Sequence, residues 1–445
     1  MLLELLFLIT IVLLLYQRWS KRDIHELGKQ LNCKVWTIPF IGHSYLFFGD
    51  CHSKYLPRLS MIANPEAAEL VLKTCLEKDD IMRMAKLFIG NGSIFAPVSI
   101  WRPRRKVLGP TFSMKNLKLF VSIFARESAV LAHKLGSIAG TGSLSAFKYF
   151  TAYTMDAISE STLGYKMGAQ KDPNLPFLRA FDNGLAKGAA RLCQPWLHSD
   201  LVYTNLPLYS QLLKDKDFLW NFVTEVIKIF YNITYSREEN VQTLLECLIN
   251  SSGGDKGYTD VEIMEELMVI MIAGNDTSAV GASFISVLLS RHPEVQERVY
   301  EELREVFGDS NRPATYEDLP RLKYLDAVIR ETLRLYPPVP IITRKVEKDV
   351  VLPTGIKLVP DTGVIVNIWA LHRNPRYWGD DAELFRPERF IDTELSHPSA
   401  FIPFSHGPRN CVGERVVLLC SSGTKESKKT TGKCFFLWIE LIEVS

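Results

Sequence analysis

The chain has 445 residues, 47% hydrophobic and 23% charged, the balance of a folded protein rather than a disordered one. Its 52 basic and 50 acidic residues leave a net charge of +2, so no strongly basic character points to a nucleic-acid partner. The eight cysteines are scattered with no Cys-x-x-Cys pair, which excludes a disulfide scaffold and implies a reducing compartment.

Leu2 to Tyr16 is almost wholly apolar, interrupted by Glu4 and Thr10, and Arg18, Lys21 and Arg22 follow at once. A cleaved signal carries its charge before the apolar run, whereas here the charge comes after it. The pattern predicts a membrane anchor over residues 1–20, with residues 21–445 on the cytosolic side by the positive-inside rule. A cleaved leader or a buried helix is the competing reading. Proline, glycine and short β-like runs then alternate up to about Asn64. Glu66 to Lys73 predicts a helix. Apolar residues at i, i+3, i+4 spacing predict further helices over Asn116–Leu135, Thr151–Leu163 and Leu213–Phe230. Ser251 to Asp255 is a flexible break. Behind it, Thr259 and Glu262 have capping-box spacing, so a long helix is expected from Asp260 to about Ser290. A charged helix over Val295–Phe307 follows, then one over Leu322–Tyr336 stopped by Pro337 and Pro338. Residues 339–367 read as β-rich, with Pro353-Thr-Gly355 as a turn. The chain is therefore expected to be mainly α with a small β part.

One loop carries candidate chemistry. In Phe404-Ser-His-Gly-Pro-Arg-Asn-Cys-Val-Gly413 two glycines bracket Cys411 ahead of a helix start. Backbone N–H groups and a helix N-terminus there lower a thiol pKa and keep the sulfur ionised for metal ligation. Alternatively a lone loop cysteine is structural, or is a nucleophile served by His406, although no third group to orient that histidine is evident.

Phe404, Gly407, Arg409, Cys411 and Gly413 resemble the haem-binding pattern Phe-x-x-Gly-x-Arg-x-Cys-x-Gly of the cytochrome P-450 family. Other strings resemble that family in the same order: Trp101-Arg-Pro-Arg-Arg105, Ala273-Gly-Asn-Asp-Thr277, Glu331-Thr-Leu-Arg334 and Phe385-Arg-Pro-Glu-Arg-Phe390. The resemblance implies a cytochrome P-450 fold behind the N-terminal anchor. It implies haem (iron protoporphyrin IX), with Cys411 as the iron ligand and Phe404, Gly407 and Gly413 shaping the loop. Trp101, Arg105, Arg344 and Arg409 are expected to hold the haem propionates, since planar guanidinium forks suit carboxylates. Glu331, Arg334 and Arg389 are expected as a structural triad. Ala273 and Gly274 are expected to line the substrate pocket and leave room for dioxygen, with Thr277 and Asp276 relaying protons. The bland alternative for Thr277 is a hydroxyl bonded back to the i−4 carbonyl. Pro103 fits a helix that begins there.

The implied reaction inserts one oxygen atom from O2 into an apolar small molecule, such as a fatty acid, hormone or xenobiotic. Electrons are expected from NADPH through a cytochrome reductase, docked on Arg102, Arg104, Lys106 and Arg415. The implied location is the endoplasmic reticulum membrane, with the lipid bilayer as a partner. Asp156 to Gly164, Leu371 to Pro375 and the Pro338–Pro340 region are most similar to the animal family-4 clan, which contains the fatty-acid ω-hydroxylases. Many of those have a glutamate where this chain has Ala273, so covalent haem attachment is not expected. The stretch Gly49–Asn64 is short against the family. Beyond about residue 415, Val416 to Cys420 gives way to a polar run and then to Cys434-Phe-Phe-Leu-Trp-Ile-Glu-Leu-Ile442, which is unlike it. A truncated relative that folds poorly or only binds haem is the second expectation.

Overall fold

The computed structural model describes residues 62–140, 145–172, 174–233, 243–251, 258–308, 310, 312–391 and 394–414. The expected anchor at 1–20, most of the shortened stretch before Asn64, and the unusual tail from Arg415 lie outside these residues. In chain order the main elements are α1 (Pro65–Thr74), α2 (Val98–Thr111), α3 (Met114–Ile138), α4 (Ala146–Ile158), α5 (Pro176–Cys193), α6 (Pro207–Ile233) and α7 (Leu244–Asn250). Then come α8 (Asp260–Arg291), α9 (Pro293–Phe307), α10 (Lys323–Leu335), four short strands and α11 (Ile368–Leu371). The strands are β1 (Ile341–Lys345), β2 (Val350–Val351), β3 (Lys357–Leu358) and β4 (Gly363–Asn367). The mainly α reading with a small β part stands.

The helix ends follow local chemistry. Asn64 caps α1 by accepting from the Ala67 amide, with Pro65 in the first turn. The capping box of Thr259 and Glu262 is formed and starts α8 where the spacing placed it. Two expectations change. The helix read over Thr151–Leu163 is α4 followed by a π-helical turn over Ser159–Leu163. Pro103 does not open a helix: α2 begins at Val98, so the proline lies inside it and leaves the Ser99 carbonyl without its usual i+4 donor.

Helix α8, about 48 Å long at 1.5 Å per residue, is the central strut. Its first half is sealed by α4, α5, α6 and α7 through Ile263, Leu267, Met268 and Met271, and its second half meets α9 and α10 through Ile285 and Leu289. One helix among the described residues, α8, is long and apolar enough to cross a membrane; half of its most apolar window is buried against protein. A separate core joins α1 to the sheet through Val71, Leu72, Val364, Val366 and Leu371. β1 pairs antiparallel with β4, setting Arg344 opposite Val364. Ile62 adds a parallel bridge to Val366, and Glu77 bridges Lys345. That second bridge sets the residues after α1 against β1 at the position next to Arg344.

Candidate haem-thiolate site

The loop 402–413 is shaped by short-range bonds. Ser405 N–H donates to the Ile402 carbonyl at 3.0 Å, Asn410 N–H to Gly407 at 3.1 Å, and Cys411 N–H to Phe404 at 2.9 Å. Ser405 and Gly407 both have positive φ, 64° and 77°. A Cβ on Gly407 would stand 2.6 Å from the Leu72 carbonyl oxygen, so the loop lies directly on α1 and only glycine fits.

The Cys411 thiol receives the amides of Gly413 and Glu414, and Glu414 is the first helical residue after the loop. These donors and Arg105 favour the thiolate, as the sequence implied. Burial nevertheless outweighs them and pushes the thiol up, which corrects the expectation of a lowered value. The same side chain is exposed. The two go together because the sulfur lies among many protein atoms while part of the residue still meets solvent.

Beside the loop stands a group of cations with few anions. Arg344 on β1 is fully buried; it donates to its own neighbour's carbonyl, Thr343, at 2.9 Å, and its Nε has no partner. Burial and then Arg409 bring it down to about 10. Arg409 is likewise brought to about 10 by burial, partly offset by Glu77. Arg105 is lowered by burial and donates to Asn410 at 2.9 Å. Lys78, which the sequence reading did not single out, is pushed well down by burial, Arg344 and Arg409. Among the described residues, Glu77 is the one carboxylate that acts on these four, through Arg409. Its Oε1 accepts from the Val98 amide at 2.8 Å. Unpaired buried cations are costly, by several kcal/mol each on the order-of-magnitude scale for buried ions. The arrangement fits a ligand that brings two carboxylates, as haem does with its propionates. Trp101 is part of the same wall, since the Arg409 guanidinium lies 5.0 Å from its ring centre. Arg409 is also bound to backbone: it donates to the carbonyls of Leu76 at 2.7 Å and Ser93 at 3.2 Å, and to Ala96. It therefore pins the loop between α1 and α2 as well as facing the cluster.

On α8 the predicted residues separate. Ala273 is half-buried. Gly274 faces elsewhere than expected: a Cβ there would meet Ile158 Cδ1 at 2.8 Å, so it is where α4 packs closely on α8. The Thr277 hydroxyl donates to the Ala273 carbonyl at 2.6 Å, the back-bonded alternative. Asp276 is half-buried and its carboxyl is raised by burial alone. Asp182 on α5, also missed from sequence, is raised by burial and then by the charge of Asp276.

The triad forms. Arg334 Nε and Nη2 donate to Glu331 at 2.6 and 2.7 Å, all fully buried, and Arg389 Nε lies 3.5 Å from Glu331 Oε1. Arg389 is held mainly by the Trp378 carbonyl at 2.9 Å and by Asp381 at 2.8 Å. The docking face expected from Arg102, Arg104, Lys106 and Arg415 loses one member: Arg104 is not a surface residue. It is buried against Glu262, Glu265 and Glu266 of α8 at 3.0–3.3 Å. The helical period puts Trp101, Arg104 and Leu108 on the inward face, while Arg102 and Lys106 stay exposed. Arg415 lies outside the described residues.

A loop cysteine, a group of buried cations beside it and a buried Glu–Arg–Arg core fit the class of haem-thiolate monooxygenases. The family model for cytochrome P450 matches residues 55–418, and the chain belongs to that family. It is 33% identical to cytochrome P450 4V2 of Homo sapiens over an alignment that covers 91% of this chain and 83% of that one. It is also 33% identical to cytochrome P450 4d2 of Drosophila melanogaster (83% and 76% covered) and 32% to cytochrome P450 4c3 of the same organism (82% and 72%). The branch read from the motifs therefore agrees with its relatives. A non-catalytic remnant is not favoured by a match of this extent.

Proposed function

We propose that Cys411 ligates the haem iron and that Trp101, Arg105, Arg344, Arg409 and Lys78 receive the propionates. The observation that supports this most is the group of buried arginines, Arg344 and Arg409, on which Glu77 is the one carboxylate acting among the described residues, beside the loop that carries an exposed Cys411. When bound, the haem supplies iron that activates O2, with a thiolate ligand that donates electron density towards it, the arrangement of this class of enzyme. The residues of the chain then do three things. The Gly413 and Glu414 amides donate towards the sulfur and favour its anion, against the burial that raises the thiol. Asp276, whose carboxyl burial raises, passes protons towards the reaction site, with the Thr277 hydroxyl next to it in the chain. The apolar surroundings of α8 select an apolar substrate, such as a fatty acid, hormone or xenobiotic. Electrons come from NADPH through a cytochrome reductase, docked near exposed Arg102 and Lys106. Residues 1–20 anchor the chain in the endoplasmic reticulum membrane, and residues 21–445 form the catalytic domain on its cytosolic side; the apolar run followed by Arg18, Lys21 and Arg22 supports this.

The test is the reduced, carbon-monoxide-bound absorption spectrum of the expressed chain. The red-shifted Soret band of thiolate ligation is expected, and Cys411→Ala is expected to abolish it. A band that survives the substitution would show that another residue is the ligand.

A further inference from the structure

His372 follows α11 and is completely buried. Its two ring nitrogens have partners of opposite kind. Nδ1 lies 3.2 Å from the Arg334 carbonyl, which only accepts, so Nδ1 carries the proton. Nε2 lies 2.9 Å from the Ile402 amide, which only donates, so Nε2 is the bare lone pair. The ring is thus neutral and held in one tautomer by geometry alone. The contact with Arg334 is reciprocal, because the Arg334 guanidinium donates to the His372 carbonyl at 2.9 Å. On the other side, Ile402 opens the loop in which Ser405 bonds back to Ile402 and Cys411 bonds back to Phe404. The imidazole is the joint between the Glu331–Arg334–Arg389 core and the cysteine loop.

We propose that His372 is a positioning residue for Cys411: its neutral ring carries the rigidity of the Glu331–Arg334 pair into the loop through the Ile402 N–H. This rests on the reading that Cys411 is the haem ligand. Ile402 is itself buried, so without an acceptor at Nε2 its N–H would stand in the interior with no partner. Burial first, and then the charged groups around the ring, keep it neutral. Arg334 and Arg373 both repel a proton there, and their counter-ions Glu331 and Glu383 are engaged with them. The remaining face is taken by the Phe401 ring at 5.3 Å, and the Leu333 carbonyl adds a weaker attraction for the proton.

Three variants separate the two bonds. Gln at 372 has a donor and an acceptor at the reach of the imidazole nitrogens. Asn has an amide that reaches only the Arg334 carbonyl. Phe keeps the ring volume and neither bond. Hydrogen exchange of peptides covering 402–411 in the haem-free protein is expected to be about tenfold faster in His372→Asn than in the unaltered chain, and close to unaltered in His372→Gln; tenfold is what about 1.4 kcal/mol represents. In the haem-loaded protein, His372→Asn and His372→Phe are expected to shift the reduced carbon-monoxide band from the thiolate position to the short-wavelength one, and His372→Gln to restore it. Unchanged exchange and an unchanged band in His372→Asn overturn the inference, and this variant carries the test if His372→Phe does not fold. Cys411→Ala run alongside keeps the two readings apart. If it retains the red-shifted band, the ligand reading fails. If it loses the band while His372→Asn keeps it, only the positioning role fails.

Discussion

At the scale of single residues, the unpaired cations are the most informative feature. Arg344 is buried with an unsatisfied Nε, an arrangement that destabilises the empty protein and serves the filled one. Arg344→Leu is therefore expected to act in opposite directions on the two forms. The haem-free protein should become more stable, by about 1–3 kcal/mol for removal of an unsatisfied buried group, read from its urea midpoint. Haem loss to a scavenging apoprotein should become roughly tenfold faster, the factor about 1.4 kcal/mol represents. A less stable haem-free protein with unchanged haem retention would make Arg344 an internal structural residue instead. Gly407 makes a simpler case. Its positive φ and the 2.6 Å approach to the Leu72 carbonyl leave no room for a methyl group. Gly407→Ala is expected to cost about 1–3 kcal/mol, the range for strained backbone, measured as a fall in thermal midpoint together with weaker haem uptake.

At the scale of elements, two contacts bring the helices into register. Glu331 accepts from Arg334 twice and from the Arg386 amide at 2.9 Å, so α10 is tied to the Pro387–Phe390 turn through one carboxylate. Glu331→Ala leaves Arg334 as a fully buried charge without its counter-ion. The expected loss is about 3–5 kcal/mol, typical of breaking one side of a buried pair, and denaturant unfolding checks it. Gly274 is the second contact. Gly274→Val is expected to separate α4 from α8 at Ile158 and to destabilise by about 1–3 kcal/mol, the usual range for overpacking. An unaltered thermal midpoint would mean that α4 moves freely away from α8 at this point.

At the scale of the whole molecule, His372 links stability to pH. Burial, ahead of the Arg334 and Arg373 charges, brings it to about 3, below its ordinary value of about 6.5. Between those values the unfolded chain holds the extra proton, so stability rises with pH there. The contribution is complete above pH 6.5 and is lost as the pH falls towards 3, by up to about 1.4 kcal/mol per pH unit. Carboxyls raised by burial, such as Glu127, Asp156, Glu266 and Asp276, act in the opposite sense. The difference between the stability curves of the unaltered chain and His372→Gln isolates the histidine. It is expected to be constant above neutral pH and to change steadily as the pH falls through the acid range; parallel curves from pH 4 to 7 would exclude the linkage.

How much of this was legible beforehand follows the range of the physics involved. The α8 capping box, the stop of α10 before Pro337, the Glu331–Arg334 pair and the loop from Phe404 to Gly413 depend on residues within a few positions of each other. Short-range spacing therefore determined them, together with the family they mark. Which way a side chain faces once helices pack is decided by partners far away in the chain. Arg104 and Arg105 are neighbours, yet one is buried against Glu262, Glu265 and Glu266 while the other donates to Asn410, 305 positions on. Lys78 joins Arg344 only because Glu77 bridges Lys345, and Gly274 meets Ile158 only because α4 crosses α8 there. The sequence by itself determined which residues form the cysteine loop and the family they belong to. The tertiary structure alone decided that Arg344, Arg409 and Lys78 come together with Glu77 as the one carboxylate acting on them among the described residues, because burial and charge pairing are set by packing across the whole fold and not by spacing along the chain.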